Sequence, residues 1–317
     1  MTVLILTEDV DVTVDPVIEL LHGRGVPVLR CDTAWFPQRM GLDAEFRSGR
    51  WDGMLRAGQR LVPLSRLRTV WYRHPTAFSF PQQMSDAERR HATHEARLGL
   101  GGVLWSLPLR WVNHPARAAD VYKPVQLAVA ACCGLAVPDT LVTSEPAAVH
   151  RFVAAHPGGV VLKQLGFASI AEQGGRSPLY TRLLTPADLA DLDGVQHTAH
   201  TFQQWIDKRH DARVIVVGRR VFTAALHTDD PAGRVDFRAS YHTLTYTVVD
   251  PPGAVVAALE RFMDHFGLAY AAFDFAVDHD QRWWFLECNP GGQYGFLEHH
   301  TGLPITQALA ELLAGDR

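Results

Sequence analysis

The N-terminal third of the chain alternates between short apolar runs and an amphipathic stretch. Val3–Leu6 and Val26–Cys31 are apolar runs of strand length. Between them, Val17, Leu20 and Leu21 recur at helical spacing and predict a helix with one apolar face. This order predicts a β-α-β unit and therefore an α/β fold for the first lobe. The loop after the first strand has no G-x-G-x-x-G sequence, so the dinucleotide-binding fingerprint is absent.

The pattern changes from strand to helix spacing several times in the rest of the chain. Ser85 is followed three residues later by Glu88, and this capping-box spacing predicts the start of a long helix. The charged stretch Asp207–Asp211 predicts a turn before an apolar strand over Ala212–Val217. Apolar positions on one side of Gly253–Phe266 predict a second amphipathic helix.

An apolar hairpin is predicted near the C-terminus. Ala269–Val277 and Arg282–Glu287 are apolar-rich runs of strand length on either side of the polar stretch Asp278–Gln281. Two such runs around a short polar turn are typical of a β-hairpin. The sequence Pro290-Gly291-Gly292 then ends the second strand, because proline cannot donate to the strand ladder.

The hairpin carries three side chains with hard oxygen donors. Glu287 and Asn289 are two positions apart, so an extended backbone points them to the same side. The turn folds Asp274 back beside them. Two carboxylates and an amide oxygen suit Mg²⁺ that is shared with the phosphates of a nucleotide. The alternative is a hairpin whose acidic residues face water, but the apolar run Trp283–Leu286 makes burial without a partner costly.

Two lysines and a glycine-rich stretch are candidates for binding phosphate. Lys163 ends a predicted buried strand, and Gly166–Arg176 follows as a loop that can place backbone N–H groups over phosphates. Lys123 lies in the first turn of the predicted helix Asp120–Cys133, where the helix dipole does not favour a cation. It is therefore either a ligand for an anion or an exposed lysine.

Composition and charge narrow the classes of function. The 317 residues carry a net charge of −4, so a nucleic-acid partner is not expected. No apolar run is long enough to span a bilayer, and no membrane partner is expected. No Ser-His-Asp or Cys-His pattern is visible, which favours chemistry by positioning and electrostatics. A reduced, cytoplasmic location is expected because the cysteines match no zinc or redox motif: Cys31, Cys132, Cys133 and Cys288.

Several motifs occur in a fixed order along essentially the whole chain. They are V-W-Y-R-H-P at Val70–Pro75, W-x-N-x-P at Trp111–Pro115, A-x-x-x-K-x-x-Q-L at Ala119–Leu127, the stretch Gln203–Gly218, D-F-R at Asp236–Arg238, and L-E-x-N-P-x-G-Q-Y at Leu286–Tyr294. In this order they resemble the ATP-grasp superfamily, and more narrowly its peptide-maturing members, the graspetide (microviridin-type) synthetases. Gln204 and Phe237 stand where the family commonly has Glu and Trp.

The resemblance implies an α/β (α+β) ATP-grasp fold with three lobes. An N-terminal α/β lobe would span residues 1–115. A central lobe with the glycine-rich loop would span residues 116–200, and a C-terminal lobe with the magnesium-binding hairpin would span residues 201–317. ATP would lie between the last two lobes, with Mg²⁺ beside its phosphates.

The resemblance also implies roles for individual residues. The expected magnesium ligands are Asp274, Glu287 and Asn289, and the expected substrate contacts are Arg73, Asp236 and Arg238. Arg238 would pair with the substrate carboxylate, Arg213 would stabilise the transferred phosphoryl group, and Lys163 is the third expected catalytic residue. The hinge, Gln204-Trp205-Ile206, would meet adenine through its backbone, and Lys208 would sit near the base. The full set of expected nucleotide contacts is Lys123, Lys163, Gln203, Gln204, Trp205, Ile206, Lys208 and Arg213.

The activity implied by the resemblance is the crosslinking of a ribosomal precursor peptide. ATP would phosphorylate an Asp or Glu side chain, and a Thr or Ser hydroxyl or a Lys amine of the same peptide would then attack it. The product would be an ω-ester or ω-amide ring, together with ADP and phosphate. A leader segment of the peptide would dock on the central lobe, and the enzyme is expected to be a homodimer.

Two other functions are compatible with the same residues. The first is an ATP-grasp carboxylate–amine ligase for a small molecule or a protein tail, of the glutathione-synthetase or glutamate-ligase type, which would share every nucleotide and metal contact. The second is a regulatory protein that binds the nucleotide without turnover. The complete set of cations and oxygen ligands disfavours the second alternative.

Overall fold

A computed structural model describes residues 1–119, 121–166, 169–172 and 175–315. The strands in chain order are β1 (Thr2–Leu6), β2 (Val28–Cys31), β3 (Met40–Arg47), β4 (Arg50–Ala57), β5 (Arg60–Pro63), β6 (Leu67–Tyr72), β7 (Arg110–Val112), β8 (Thr140–Thr143), β9 (Val160–Lys163), β10 (Ser169–Glu172), β11 (Gly175–Pro178), β12 (Arg182–Leu183), β13 (His200–Gln204), β14 (Lys208–Val217), β15 (Arg220–His227), β16 (Thr245–Val248), β17 (Tyr270–Asp278) and β18 (Trp283–Asn289). The helices are α1 (Val14–Gly23), α2 (Asp86–Ser106), α3 (Pro115–Ala119), α4 (Lys123–Cys132), α5 (Pro146–Ala155), α6 (Pro186–Ala190), α7 (Pro231–Val235), α8 (Gly253–Phe266), α9 (Gly295–Thr301) and α10 (Ile305–Ala314).

The N-terminal part is built on a parallel sheet, as the β-α-β pattern predicts. Its strand order is β2-β1-β6-β7, and an antiparallel meander of β3, β4 and β5 packs beside it. Ser85 caps α2, and its side chain and that of Glu88 form the predicted capping box. Since parallel strands end at the same edge of a sheet, the residues after β6 and β7 lie side by side. This edge faces the rest of the molecule.

An antiparallel sheet in the middle of the chain has the order β12-β9-β13-β8. Strands β10 and β11 form a separate hairpin in the predicted glycine-rich loop. Four positions of that loop, 167–168 and 173–174, lie outside the described residues. Strand β13 (His200–Gln204) is the link that leads from this sheet into the C-terminal part.

The C-terminal part is organised around an antiparallel sheet of order β16-β15-β14-β17-β18. The helices α4 and α8 pack on one face of it, where Phe262, Phe273 and Phe285 form an aromatic core. The helices α1 and α10 pack against the opposite face. Helix α8 has the predicted bounds, and the left-handed Gly267 (φ +62°) ends it.

Some predicted elements differ from the structure. The charged stretch Asp207–Asp211 is predicted as a turn, but β14 already begins at Lys208 because its residues pair with β17. The predicted helix Asp120–Cys133 begins at Lys123, and Asp120 lies outside the described residues. In the described part of the chain, no helix is long and apolar enough to cross a membrane.

Candidate active site

Three neighbouring strands place Arg213, Asp274 and Glu287 in one row. The register pairs Arg213 on β14 with Asp274 on β17, and Asp274 with Glu287 on β18. Directly paired residues of antiparallel strands project from the same face of a sheet. Arg213 Nη1 donates a 2.7 Å hydrogen bond to Asp274 Oδ1, and both side chains are buried. The row therefore carries a cation and two carboxylates side by side.

A β-bulge turns Glu287 toward this row. Phe275 pairs with Phe285 while Asp274 pairs with Glu287, so Leu286 is an extra residue in β18. In a regular strand, Phe285 and Glu287 would face the same side because they are two positions apart. The bulge keeps Phe285 in the aromatic core and places Glu287 at the cleft.

Glu287 is surrounded by cations. Lys123 Nζ lies 3.0 Å from Glu287 Oε2, and Arg238 Nη1 lies 3.5 Å from Oε1. Burial alone would raise the pKa of Glu287, but Lys123, Lys163 and Arg238 hold it well below its usual range. For Asp274, burial outweighs the attraction of Arg213, and its pKa is raised. The surroundings of the two carboxylates therefore shift their pKa values in opposite directions.

Helix α4 delivers Lys123 to this carboxylate. One turn after Lys123, the amide of Gln126 donates to Cys288 O and accepts from Cys288 N, both at 2.8 Å. These two bonds dock the helix beside Glu287 on β18. Lys123 Nζ also donates to Gln164 O at 2.7 Å, so it links the C-terminal sheet to the residue after Lys163.

The predicted magnesium ligands lie on one face of the hairpin. Asn289 pairs with Ala272, two positions from Asp274, and therefore projects to the same side as Asp274. Asn289 Oδ1 accepts a hydrogen bond from the N–H of Gly291 at 3.1 Å. Among the residues that the structure describes, no three His, Cys, Asp or Glu side chains are grouped to hold a metal ion. Two carboxylates and an amide oxygen fit an ion that takes its other ligands from phosphates and water.

Lys163 lies opposite this row, across the cleft, at the end of β9. Its Nζ donates to Gln203 Oε1 at 3.1 Å, and Gln203 Nε2 donates to Thr140 Oγ1 at 2.9 Å. Burial lowers the pKa of Lys163, while Glu287 acts in the opposite direction. Gln203 therefore fixes the ammonium group of Lys163, which is predicted to contact phosphate.

A cleft with a cavity volume of about 50 Å³ lies between the middle sheet and the C-terminal sheet. The predicted residues that line it are Lys163, Gln203, Gln204, Ile206, Lys208, Asp236, Arg238, Asp274 and Glu287. Lys123 reaches the cleft through its contact with Glu287. Nine predicted residues, from the two sheets, from the link between β13 and β14 and from the segment after α7, thus line one space.

The hinge residues differ in their access to the cleft. The backbone N–H groups of Gln204 and Trp205 donate to Asp139 O and Gly159 O, at 2.8 and 3.0 Å. These two N–H groups are therefore engaged within the protein. Ile206 lines the cleft, whereas Trp205 does not, and its buried indole Nε1 has no hydrogen-bond partner.

Asp211 is a cleft residue to which the sequence analysis assigned no role. Lys208 Nζ donates to Asp211 Oδ1 at 2.7 Å, and burial raises the pKa of Asp211 from 3.8 to about 6 despite this lysine. The two residues are three positions apart, yet they share a face because the register with β17 shifts between Lys208 and His210. Because the sequence predicts a turn over Asp207–Asp211, it does not indicate that Lys208 and Asp211 share a face of a strand.

Arg238 lies between the cleft and a second, larger cavity. Its Nε and Nη2 donate to the two oxygens of Asp236, at 2.8 and 3.2 Å, in a bidentate pair. Asp236 also accepts from the N–H of Thr181 at 2.9 Å. The second cavity has a volume of about 520 Å³, and its lining includes Arg213, Arg238, Asp274, Glu287 and Asn289.

Arg73 is not brought into either space. Its side chain is 2% exposed, and it contacts Asp11, the carbonyl of Gly291 and the side chain of Gln293. Gln293 belongs to the L-E-x-N-P-x-G-Q-Y motif but had no role assigned to it, and Arg213 Nη2 donates to its carbonyl at 3.0 Å. The sequence signal for Gln293 was present in the motif.

Comparisons with known proteins identify the family. A family model described as the MvdD pre-ATP grasp domain matches residues 2–119. The macrocyclase MdnC from Microcystis aeruginosa MRC, solved with its precursor peptide MdnA, is 30% identical with a TM-score of 0.86, and the match covers 100% of both chains. The chain belongs to the graspetide family of ATP-grasp ligases. The predicted ATP-grasp fold and the predicted enzyme class, an ATP-dependent ligase, are confirmed for this graspetide ligase.

Two further structures resemble this graspetide ligase. A RiPP-associated ATP-grasp ligase from Chryseobacterium gregarium, in complex with ADP and a leader and core peptide, is 25% identical with a TM-score of 0.90, covering 99% of this chain and 96% of that one. The ligase PsnB, complexed with a minimal precursor, Mg and ADP, has a TM-score of 0.77 at 24% identity, covering 99% of this chain and 96% of the other, and supports the fold. No curated protein matches the sequence.

Proposed function

We propose that this ligase uses ATP to phosphorylate an Asp or Glu side chain of a ribosomal precursor peptide and then closes an ω-ester or ω-amide ring. The observation that carries the proposal is the row of Arg213, Asp274 and Glu287. Asp274 and Glu287 line both the cleft and the larger cavity, and Arg213 lines the larger cavity. A phosphoryl group can pass from a nucleotide in one space to a carboxylate in the other only where the two spaces meet.

ATP is assigned to the cleft between the middle and C-terminal sheets. Lys123 and Lys163 would contact its phosphates, because both supply a cation near Glu287. Within the predicted hinge, Gln204–Ile206, the cleft residues Gln204 and Ile206 would contact the base, and Lys208 would lie near it. Asp274, Glu287 and Asn289 would hold Mg²⁺, which when bound neutralises phosphate charge. The Mg and ADP in the PsnB complex are in line with this assignment.

The peptide is assigned to the larger cavity. Arg238 would pair with the acceptor carboxylate, and Asp236 holds that guanidinium in place through its bidentate contact. A carboxylate oxygen attacks the γ-phosphorus of ATP, and ADP leaves. Arg213 would stabilise the negative charge on the transferred group. A hydroxyl or amine of the peptide then attacks the acyl carbon, loses its proton and releases phosphate.

The remaining assignments extend the same proposal. The leader segment would dock on the central lobe, and the neighbour solved with leader and core peptides supports a peptide partner. The predicted lobes, 1–115, 116–200 and 201–317, are also proposed. Strand β13 pairs within the middle sheet and ends a few residues past the second boundary. A homodimer and a cytoplasmic location are also proposed, and the free cysteines in the structure are in line with a reducing compartment.

Mass spectrometry of the precursor peptide tests the proposed function. A candidate precursor is sought as a small open reading frame beside the gene that is rich in Thr and in Asp or Glu. This peptide is incubated with the protein, ATP and Mg²⁺, and ADP is quantified in parallel. Mass losses of one water per ring are expected in the wild type. Glu287→Gln should give neither ring nor ADP while keeping the fold, since it removes a metal ligand with little change in volume.

The outcomes separate the alternatives. ADP release with an unmodified peptide would point to a small-molecule or protein-tail acceptor. ATP binding without ADP release under any condition would point to a regulatory nucleotide-binding protein. Normal turnover by Glu287→Gln would contradict the metal assignment.

A further inference from the structure

The four residues after the predicted magnesium ligand Asn289 form a segment, 290–293, that is held at every backbone carbonyl. Each carbonyl oxygen accepts a hydrogen bond from a side chain elsewhere in the molecule. From residue 290 onward the donors are Asn113 Nδ2, Arg73 Nη1, Tyr270 Oη and Arg213 Nη2, at 2.8, 2.5, 2.6 and 3.0 Å. A run of consecutive carbonyls held by four side chains fixes the path of this segment.

The donors come from two parts of the molecule. Arg73 and Asn113 follow β6 and β7, at the edge of the N-terminal parallel sheet, whereas Tyr270 and Arg213 belong to β17 and β14. The 290–293 segment therefore joins the N-terminal sheet to the strand that carries Arg213.

Gln293 links Arg73 directly to Arg213. Its side-chain Oε1 accepts from Arg73 Nη2 at 2.5 Å and from Thr13 Oγ1 at 3.1 Å. Its backbone carbonyl accepts from Arg213 Nη2 at 3.0 Å. Since the side chain of Gln293 is anchored by Arg73, the position of its carbonyl depends on that anchor.

The segment also packs tightly against the guanidinium of Arg213. A Cβ atom on Gly292 would lie 2.8 Å from Arg213 Nη2 and 2.5 Å from the Cβ of Ala272. Arg213 Nε is buried without a hydrogen-bond partner. The contacts of its two Nη atoms, with Asp274 and Gln293, therefore set the orientation of the guanidinium.

We propose that Arg73 and Gln293 are positioning residues, which orient Arg213 for phosphoryl transfer through the 290–293 segment. Arg73 acts from outside the substrate cavity, because its side chain is 2% exposed and both of its Nη atoms donate to the 290–293 segment. The inference rests on the proposed role of Arg213. The N-terminal sheet would then contribute to phosphoryl transfer indirectly, because Arg73 follows its strand β6 and fixes the position of the Arg213 guanidinium on β14.

Steady-state kinetics of ADP release with the precursor peptide test the proposal. Gln293→Leu should lower kcat at least tenfold while changing the KM for ATP less than about threefold, because a displaced catalytic group costs rate rather than binding. Gln293→Glu keeps an oxygen acceptor for Arg73 and should recover most of the lost rate. Gln307→Leu is the matched control, since Gln307 contacts Glu311 on α10, away from both cavities, and should leave kcat unchanged.

A double variant tests whether the two residues act together. Arg73→Lys cannot reach both acceptors with one ammonium group, so it should also lower kcat. If both residues act through one chain of contacts, Arg73→Lys/Gln293→Leu should be no slower than the slower single variant. Multiplied losses would contradict the proposal.

Crystal structures of the wild type and Gln293→Leu provide a readout that needs no turnover. Arg213 should lose its contact with the carbonyl of residue 293 in the variant. A kcat within threefold of the wild type, or an Arg213 that keeps both of its Nη contacts, overturns the proposal. A wild type that releases no ADP overturns the proposed function, and the crystal structures then decide the positioning by themselves.

Discussion

Glu287 has its charge balanced by the protein itself. Lys123 and Arg238 contact its two oxygens, and Lys163 adds a third cation nearby. A nucleotide with its metal ion brings both negative phosphates and positive charge to the same place. The lysines can then move from the carboxylate to the phosphates without leaving any buried charge unpaired. The arrangement thus suits a site that exchanges one set of ion pairs for another.

Arg238→Ala is expected to separate nucleotide binding from peptide modification. The variant should bind ATP within about threefold of the wild type and form rings at least a hundredfold more slowly, because a bidentate carboxylate partner is lost. Calorimetry with ATP and mass spectrometry of the peptide measure the two effects. The matched control is Arg234→Ala, since Arg234 contacts only Asp207 among the ion pairs of the described chain, and at 3.4 Å. An unchanged ring yield in Arg238→Ala would place the acceptor carboxylate elsewhere.

Asp211 is expected to give the stability of the free enzyme a pH dependence. Burial raises its pKa from 3.8 to about 6, so between these values the folded state binds a proton that the unfolded state has lost. The free energy of unfolding should therefore fall as pH rises through this window, by an amount on the order of 3 kcal/mol. Below pH 3.8, Asp211 is protonated in both states and adds no pH dependence to the free energy of unfolding. Above about pH 6, the decrease in this free energy is complete.

Denaturant unfolding of the wild type and Asp211→Asn at several pH values measures this effect. The asparagine keeps an oxygen for Lys208 but does not titrate. The difference between the two proteins isolates Asp211 from the other titrating groups. A constant difference from pH 4 to pH 7 would contradict the raised pKa.

At the scale of elements, the sequence predicts the features that neighbouring residues determine better than those that depend on long-range contacts. The hairpin of β17 and β18, α8 and the capping box of α2 were predicted because neighbouring residues determine them. The meeting of Asp274, Glu287 and Asn289 was predicted because they belong to one hairpin. The start of β14 at Lys208 was not, since it depends on pairing with β17, a strand about sixty residues away. The motif predicts Arg73 at the substrate, whereas the structure buries its side chain against Asp11, Gly291 and Gln293. The sequence alone does not reveal these long-range contacts.

Gly292 tests how closely the 290–293 segment must approach β14 and β17. Gly292→Ala should lower kcat at least tenfold, because the added Cβ would meet Arg213 Nη2 and the Cβ of Ala272. ADP release at saturating ATP and peptide measures it. Gly253→Ala is the control, because a Cβ at Gly253 on α8 meets open space. Equal activity of the two variants would show that the segment can move aside.

At the scale of the whole molecule, the N-terminal sheet is attached to the C-terminal sheet by Asn113. Its amide donates to Tyr270 O and Pro290 O and accepts from the N–H groups of Ala269 and Tyr270, at 2.7 to 3.1 Å. All four of its hydrogen-bonding positions are thus used across the contact between the two parts. The catalytic strands and the N-terminal lobe are therefore expected to unfold together.

Asn113→Ala is expected to destabilise the protein strongly. It leaves buried backbone groups without partners, which costs about 3 kcal/mol and lowers Tm by several degrees. Calorimetry measures the shift, and Thr93→Ala, which loses one exposed hydrogen bond on α2, is the control. A Tm equal to that of the control would mean that the two parts are held together by other contacts.

The extra residue in β18 has a consequence for how the gene can vary. Leu286 is the unpaired residue of the bulge, so substitutions at its codon should be tolerated whenever the side chain fits the cleft wall. An in-frame deletion of the same codon would make Phe285 and Glu287 neighbours, and neighbouring residues of a regular strand project to opposite faces. Phe285 would then stay in the aromatic core and Glu287 at the cleft. Functional relatives of this chain should therefore tolerate the presence or absence of this one residue as well as changes in its identity.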